Sequence, residues 1–569
     1  MRYNYGMRKA AIILSIIVCA SVIQAAPAPA SQTQAQTPAP LAAQLDELLS
    51  SVYKAGEPGA ALLIMKDGQV LVRKAYGMAD LELGIPLEPD MVFRIGSMTK
   101  QFTAVSILML MEQGKLALSD PITKFLPDYP THGRVIAIEH LLTHTSGIQS
   151  YTDMESWMPL IRKDMSLTEL IGVFKDQPMQ FAPGERWRYN NSGFVLLGAI
   201  IEKASGLSYE AFLQKNIFDP LGMKHSSYGS ATRIIPRRIP GYGPGPNGTF
   251  SNAEYLSMTQ PYAAGSLLSS VDDLGAWNEA LLAGKLIKRE SVERAWTSSR
   301  LADGTPTNYG YGWTVGAYQG HRMIEHGGGI PGFTSDGVLL PEDKLCVIML
   351  TNSAVPGRAP GPFAYKIAAL ALAKPYQPST PASIPAADLA PLAGVYANAW
   401  KEECLVRVTG TTVTVSSADI SPTQILPLSP TLFFIRDSKA RIEFKRGPKG
   451  EALDVLVNPG MGPAIRFVRT AKPLPSARQA ISLDPKIFDK YVGEYELAPG
   501  FTIKFFRDGD KFMTQATGQG AAEIFPESPT QFFLKVVDGQ VEFTMDASGT
   551  VTGMVLSQGG RQLPAKKIK

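Results

Sequence analysis

The sequence predicts an α+β protein in which one antiparallel sheet, flanked by helices and joined to a helical subdomain, precedes two small antiparallel β-barrels. Three observations predict this fold class. Strand patterns stand at both ends of the first ~370 residues, with helical patterns between them. Two Pro-rich segments follow, and each of them introduces a β-rich block of about the same length. The two blocks match each other in one ungapped register, as expected of a duplicated module.

The first domain begins with two β-rich runs in residues 59–77, which meet at Lys-Asp-Gly, a strong hairpin signal. Residues 98–117 place apolar side chains at helical spacing and predict an amphipathic helix. Helical patterns dominate from 135 to 290, and short strands with tight turns return at 309–352. Strands from both ends of this region are therefore expected to close one sheet.

The two C-terminal blocks are related by a constant offset of 99 residues. The matching positions are Gly394 and Gly493, Tyr396 and Tyr495, Gly410 and Gly509, Ser-Pro-Thr at 429–431 and 528–530, Phe433-Phe434 and Phe532-Phe533, and Glu443-Phe444 and Glu542-Phe543. Short alternating strands with Gly-containing turns predict a small barrel in each block. Neither block contains histidine or Ser-x-x-Lys, which favours a structural or binding role.

These observations divide the chain into seven segments. The predicted segments are a signal peptide at 1–25, a disordered linker at 26–44, the α+β domain at 45–372, a linker at 373–385, a first barrel at 386–471, a second linker at 472–485 and a second barrel at 486–569.

The N-terminus has the form of a secretory signal. Basic residues precede an apolar run at 10–26, and a Pro/Ala/Gln-rich stretch follows. We expect a periplasmic or secreted protein with no stable membrane span after cleavage. The alternatives are an uncleaved anchor, for which the run is short, and lipidation of Cys19, which lacks the preferred small neighbour.

Composition excludes several classes of protein. Hydrophobic residues make up 45% and charged residues 19% of the chain, as in ordinary soluble domains, and a net charge of +4 gives no indication of nucleic-acid binding. Only Cys346 and Cys404 remain after the signal, and Cys346 lies in a predicted buried strand, so the chain is not a disulfide scaffold. His140 and His144 have the spacing of a helical zinc pair but lack its glutamate, and we expect neither metal nor cofactor.

Ser97 and Lys100 are the first candidate catalytic pair. A serine hydroxyl needs a base to act as a nucleophile, and a lysine at i+3 lies one helical turn away. The lysine can serve only if burial or neighbouring charge lowers its pKa. Tyr189 and Asn191, in Tyr-x-Asn ahead of a helical run, can share the proton and orient the substrate.

The third candidate element is "HGGGIPGF", in which His326 is expected to end a strand. The glycines after it, including Gly328 and Gly329, would allow the backbone of a substrate to approach.

The three motifs in this order resemble serine hydrolases of the penicillin-binding protein and class C β-lactamase superfamily. Further similar stretches are "HLLTHTSGI" at 140–148, "PLGM" at 220–223 and "AAGSLLSSVDDL" at 263–274. The resemblance covers residues 45–372 and implies a β-lactamase/transpeptidase-like fold, followed by lipocalin-like barrels.

For the site, the resemblance implies that Ser97 is acylated, that Lys100 is its base and that Tyr189 relays a proton. It also implies that Asn191 orients the substrate and that the N–H groups of Ser97 and Gly329 form the oxyanion hole. Whether Lys100 or Tyr189 takes the first proton stays open.

One departure from the β-lactamase pattern bears on the substrate. His326 stands where a lysine that fixes the drug's carboxylate is usual, and its charge is expected to be adjustable near neutral pH. Together with two C-terminal β-domains, this resembles the D-aminopeptidase branch and implies a small peptide, amide or ester substrate. The alternatives are a carboxylesterase, a weak β-lactamase or DD-peptidase, and a non-catalytic sensor of the same fold.

Overall fold

The computed structural model describes residues 39–374, 379–417, 422–436, 438–448, 450–475, 478–498, 501–517, 520–535, 539–558 and 561–569. The predicted signal peptide lies outside these residues, as does most of the linker assigned to 26–44. That linker is nevertheless predicted too long, because helix α1 already begins at Ala39 and runs to Ser50. Its Leu45 and Leu49 are fully buried, so apolar packing orders the end of the segment. None of the described helices is both long and apolar enough to span a bilayer.

The first domain contains ten further helices. They are α2 Thr99–Glu112, α3 Ile138–Leu142, α4 Leu167–Phe174, α5 Asn191–Ser205, α6 Tyr209–Leu213, α7 Asp219–Leu221, α8 Tyr262–Gly265, α9 Val271–Leu282, α10 Arg289–Ala295 and α11 Gly361–Ala371. Short 3₁₀ turns occur at Gly96–Met98, Ile122–Lys124, Tyr151–Asp153, Glu155–Leu160 and Pro246–Gly248, and a π-helical segment occurs at Gln214–Phe218.

Its strands are β1 Ala60–Lys66, β2 Gln69–Tyr76, β3 Met78–Asp80, β4 Ile85–Pro86, β5 Phe93–Arg94, β6 Ser227–Tyr228, β7 Tyr242–Pro244, β8 Phe250–Asn252, β9 Leu267–Ser269, β10 Thr314–Tyr318, β11 His321–Ile330, β12 Phe333–Leu340 and β13 Leu345–Thr351. The main sheet is antiparallel with the order β10-β11-β12-β13-β1-β2. β1 pairs with β13 from Ala60 opposite Thr351 to Lys66 opposite Leu345. The two ends of the domain therefore close one sheet, as predicted.

Helices cover both faces of this sheet. On one face, α1 and α11 bury a core that includes Tyr53, Phe363 and Ile367. On the other face lie α2, α5 and α9, with a larger core that continues into the helical subdomain. α2 is not amphipathic as predicted, because its first ten residues are all buried, including Lys100. A helix enclosed on every side has no solvent face, and its polar residues must find partners inside the protein.

Each C-terminal block forms a closed eight-stranded barrel. The first has α12 Ala386–Leu389, a 3₁₀ turn at Ala390–Leu392, and strands β14 Gly394–Ala397, β15 Glu403–Thr409, β16 Thr412–Ser417, β17 Thr423–Pro427, β18 Leu432–Phe434, β19 Arg441–Arg446, β20 Ala452–Asn458 and β21 Ile465–Arg469. The second has α13 Pro485–Phe488 and strands β22 Gly493–Ala498, β23 Phe501–Asp508, β24 Lys511–Ala516, β25 Ala522–Pro526, β26 Gln531–Leu534, β27 Gly539–Met545, β28 Val551–Gln558 and β29 Arg561–Lys567. The predicted fold class, an α+β domain with two barrels, is confirmed.

The duplicated residues make duplicated contacts. The hydroxyl of Tyr396 donates to Leu392 O, and that of Tyr495 donates to Tyr491 O, at 2.6 and 2.8 Å. In both Ser-Pro-Thr turns, the serine Oγ accepts from the backbone N–H three residues later at 3.0 Å. The barrel interiors are filled by their own apolar side chains, with stacked aromatic pairs in the second one. This filling favours a packed structural module over a ligand container.

Candidate active site

Ser97 lies in the 3₁₀ turn that leads into α2. Gly96 before it has a φ of +53°, and a Cβ there would lie 3.0 Å from Gly329 N. Only glycine satisfies both conditions at low cost, since other residues rarely adopt positive φ. The turn therefore holds the backbone of Ser97 against Gly329 at the end of β11, where two N–H groups can serve one oxyanion.

Lys100 follows one turn later and is fully buried. Its Nζ lies 3.1 Å from Ser97 Oγ, 2.8 Å from Asn191 Oδ1 and 2.9 Å from Ala264 O. A neutral amine satisfies all three contacts if it donates to the two carbonyl oxygens and accepts from the serine hydroxyl. Burial lowers the pKa of Lys100 well below its usual value of 10.5. The geometry thus suits a lysine that removes the proton of Ser97.

Asn191 and Tyr189 flank the start of α5. The side chain of Asn190 caps this helix by accepting from Gly193 N at 2.8 Å, which places Asn191 in the first turn. Asn191 Nδ2 donates to Thr152 Oγ1 at 3.0 Å, so both ends of the amide are fixed. The Tyr189 ring lies 4.7 Å from Lys100 Nζ. Burial raises the pKa of the Tyr189 hydroxyl, although a hydrogen bond to Ser97 acts in the opposite direction.

A pocket of about 110 Å³ opens beside Ser97. Trp157, Leu256 and Ile330 line it as apolar walls, while Thr152 and Asn191 supply polar atoms. None of the described residues that line it carries a charge. The pocket therefore suits a small acyl group and gives no cationic partner to a carboxylate.

His326 occupies a different place from the one predicted. It lies in the middle of β11 and not at the end of a strand. It is 5% exposed, and Tyr309 is its partner: Nδ1 lies 2.6 Å from Gly327 O and Nε2 lies 2.9 Å from the Tyr309 hydroxyl. Since a carbonyl oxygen accepts only, Nδ1 carries the proton and Nε2 accepts from Tyr309.

The predicted adjustable charge of His326 is wrong for the same reason. Burial, and secondarily the nearby Lys100, lower its pKa to about 3, so the ring is neutral near pH 7. His326 and Gly328 are not among the described residues that line the pocket, whereas Gly329 is. A Cβ at Gly328 would lie 2.0 Å from Ile95 O, so packing against the protein's own backbone requires that glycine.

Several residues of the site were not predicted from the sequence. Tyr309 lies in the strand-rich region at 309–352 and Ala264 in the quoted stretch at 263–274, but their contacts are non-local and have no sequence signal of their own. His144 is buried 4.4 Å from the Tyr189 ring and accepts from Asn190 N at 3.1 Å through Nδ1. His140, the other histidine of the i, i+4 pair, accepts from Ala137 N through Nδ1. Within the described ranges, no three potential ligands converge as a metal site would require.

Comparison with known proteins agrees with this arrangement. The family profile described as beta-lactamase matches residues 38–371. The chain belongs to this family. Penicillin-binding protein 4* of Bacillus subtilis strain 168 is 27% identical over 546 residues, which span 92% of this chain and 98% of that protein. Residues 477–566, which form most of the second barrel, match a domain of unknown function, DUF3471.

Two solved structures extend the comparison. The octameric penicillin-binding protein homologue from Pyrococcus abyssi has a TM-score of 0.53 and 28% identity, over 76% of this chain and 99% of that one. The D-amino acid amidase from Ochrobactrum anthropi SV3, complexed with D-phenylalanine, has a TM-score of 0.50 and 27% identity, over 56% of this chain and 92% of that one. The resemblance predicted from the motifs is confirmed. The chain is a serine hydrolase of the penicillin-binding protein and beta-lactamase family.

The lowered pKa of His326 predicts acid sensitivity. An unfolded histidine titrates near 6.5 and this folded one near 3, so the unfolded state binds more protons between these values. The stability that His326 contributes is complete above pH 6.5 and is lost as the pH falls toward 3. At ~1.4 kcal/mol per pH unit, the loss is on the order of 5 kcal/mol.

We expect His326→Gln, which keeps an acceptor for Tyr309 without a titrating group, to reduce this loss. The measurement is the free energy of unfolding of both proteins between pH 7 and pH 4. Parallel curves would show that folding does not lower the pKa of His326. His225→Gln is the control, since His225 is half-buried in a different part of the domain.

Proposed function

We propose that Ser97 is the nucleophile of an acyl-enzyme mechanism and that Lys100 is its base. The hydroxyl proton passes to Lys100 Nζ as Oγ forms a bond to the substrate carbonyl carbon. The N–H groups of Ser97 and Gly329 stabilise the oxyanion. Tyr189, whose pKa is raised, stays protonated and donates to the leaving amine or alcohol, after which Lys100 returns the proton to Tyr189.

Deacylation repeats these steps with water. Water enters as the leaving group departs, and its proton passes through the same groups as its oxygen attacks the acyl carbon. Collapse of the second tetrahedral intermediate returns a proton to Ser97 Oγ and releases the acid. Asn191 is fixed by Lys100 and Thr152 and retains one N–H of its amide, which can donate to an acceptor atom of the substrate.

For the substrate, we propose amides and short peptides whose acyl part is a small D-amino acid. The observation that carries this proposal is the absence of a cation from the described lining of the pocket and from the neutral His326, so that nothing there repels the amine of such a substrate. A substrate with a carboxylate on the amine side of the scissile bond, as in β-lactams and wall peptides, finds no cation among the described residues that line the pocket to offset its desolvation. The similarity to a D-amino acid amidase supports the D configuration.

A carboxylesterase is the second candidate. The same pocket has no carboxylate among its described lining residues, so nothing in it would pair with the ammonium group of an aminoacyl substrate. Small neutral acyl esters require no such partner. A non-catalytic sensor is disfavoured, because the contact between Lys100 and Ser97 is what acylation needs.

For the location, we propose export to the periplasm or the medium. The basic and apolar N-terminal pattern supports it. D-amino acids also occur in cell-wall peptides, which lie outside the cytoplasm.

A substrate panel tests the proposal. We expect kcat/KM for D-alanyl p-nitroanilide to exceed that for the L-isomer at least ~10-fold, with p-nitrophenyl acetate as the ester and a cephalosporin as the carboxylate-bearing substrate. Ser97→Ala measures the background of each reaction. Turnover of the acetate alone would make the enzyme an esterase, and rapid turnover of the cephalosporin would refute the charge argument.

A further inference from the structure

Two acidic side chains lie close together on the face of the main sheet that is turned away from Ser97. Glu325 lies on β11 opposite Val338, and Asp336 lies on β12 opposite Gly327, so they are diagonal neighbours across the two strands. Helix α11 covers them. Its Tyr365 hydroxyl donates to Glu325 Oε2 at 2.7 Å. His326, between Glu325 and Gly327, is directed to the opposite face of the sheet.

The pair is poorly solvated. Asp336 is 6% exposed, and the side chain of Glu325 is 12% exposed. Asp336 Oδ1 has no hydrogen-bond partner among the described residues. Burial first, and the charge of Glu325 second, raise the pKa of Asp336, whereas Lys439 lowers it. Two neighbouring carboxylates that are shielded from solvent need either a cation beside them or a proton bound to one of them.

The counter-charge comes from the first barrel. Lys439, in the connection between β18 and β19, forms an ion pair with Glu325 Oε1. Its Nζ also lies 4.6 Å from the centre of the Tyr365 ring, which itself lies against Tyr318 of β10 at 5.6 Å. Lys439 and Glu325 are both largely buried, at 24% and 12% exposure of their side chains. The ion pair is therefore less screened by solvent than the surface pairs of this chain.

The same barrel also reaches the catalytic face. The stem of Lys439 lies against Gly460, where an added Cβ would approach Lys439 Cβ to 2.8 Å. Two residues later, Gly462 packs on Trp187, and its carbonyl accepts from Asn308 Nδ2 at 3.2 Å. Trp187 precedes Tyr189 by two residues, and Asn308 precedes Tyr309, the partner of His326.

We propose that Lys439 of the first barrel is a positioning residue for the active site: it neutralises Glu325 and Asp336 and so fixes strand β11, which supplies Gly329 to the oxyanion hole. This inference rests on the proposed acyl-enzyme mechanism. Without the ammonium group, the carboxylates repel each other and must move apart or bind a proton. Glu325 precedes the glycines of β11, and Asp336 lies opposite Gly327 on β12. If the two carboxylates moved apart, Gly329 would therefore be displaced relative to Ser97. An oxyanion donor that moves even partly out of place loses part of its effect on the transition state.

The test is the rate at which a fluorophosphonate labels the full-length protein. In this reaction Ser97 Oγ bonds to phosphorus, fluoride leaves and Lys100 takes the proton, so the rate reports the nucleophile and the oxyanion hole without a natural substrate. We expect Lys439→Met to slow labelling ~10-fold, less than the ~100-fold or more that loss of an oxyanion donor costs. Lys439→Arg, which keeps the charge, should restore most of the rate.

Two further results separate positioning from general stability. The pKa of Asp336 is raised to about 8, so the deficit of Lys439→Met should be largest above pH 8, where both carboxylates are ionised. It should shrink as the pH falls, because protons then replace the missing charge on the carboxylates. Adding Asp336→Asn to Lys439→Met should restore labelling, since it removes one of the two repelling charges. This double variant also keeps the test valid if Lys439→Met alone does not fold. Lys472→Met is the matched control, because Lys472 pairs with Glu403 outside the hydrolase domain.

Each outcome has one interpretation. Absence of labelling in the wild type would overturn the acyl-enzyme proposal itself. If the wild type is labelled normally, an equal labelling rate in Lys439→Met would overturn the role of Lys439. A loss of labelling in Lys472→Met as large as that in Lys439→Met would overturn it too. A deficit that is independent of pH and is not relieved by Asp336→Asn would also overturn it.

Discussion

Ser97→Ala is expected to lose turnover by at least ~10⁴-fold and to lose covalent labelling completely, while the protein stays folded. The substitution removes one hydroxyl from a half-buried residue. The turn itself is held by the close approach of the Gly96 and Gly329 backbones, which does not involve that hydroxyl. Lys100 keeps its contacts with Asn191 and Ala264. The expected change in the free energy of unfolding is therefore within about 1 kcal/mol.

The comparison variant for this experiment is Ser106→Ala. Ser106 lies in the same helix as Lys100, and its Oγ donates to Phe102 O at 2.7 Å. Its removal should leave labelling unchanged. Residual labelling of Ser97→Ala at more than a trace would mean that another side chain is the nucleophile.

Lys100→Arg is expected to lower kcat by ~10³-fold or more with a small change in KM. Arginine stays protonated at any accessible pH, so it can donate to Asn191 Oδ1 but cannot accept the proton of Ser97. In the wild type, desolvation lowers the pKa of Lys100 from 10.5, which makes the neutral amine available. The acid limb of the wild-type kcat/KM profile should therefore lie well below pH 10.5.

Lys100→Met should be as inactive as Lys100→Arg, and Lys115→Met, at an exposed position just after α2, should behave as the wild type. A Lys100→Arg enzyme that keeps more than about a tenth of kcat would indicate that Tyr189 removes the proton instead. The raised pKa of Tyr189 argues against that outcome, because a phenolate is then costly to form.

Local patterns in the sequence identified the parts of the site that lie within one element. Ser97 and Lys100 are separated by one helical turn, and their contact follows from that spacing. The hairpin at Asp67-Gly68 forms as predicted, with φ values of +50° and +75°. The repeat of 99 residues likewise identified two equivalent barrels, because the same side chains fill the same interior positions.

Properties that depend on packing between distant segments could not be read from the sequence. His326 was expected to carry an adjustable charge, but Tyr309 and the backbone of Gly327 occupy both of its nitrogens inside the protein. α2 was predicted to be amphipathic, yet its first ten residues are all buried. The contact of Lys439 with Glu325 joins residues that are more than a hundred positions apart, and neither has a local motif.

The central claim is that acyl transfer passes through Ser97, and rapid-quench peptide mass mapping tests it most directly. The protein is mixed with p-nitrophenyl acetate, quenched within a single turnover and digested. We predict an acetyl group on the peptide that contains Ser97, which disappears as hydrolysis is completed and never forms in Ser97→Ala. Turnover with no adduct on that peptide, or with the adduct on another residue, would contradict the account.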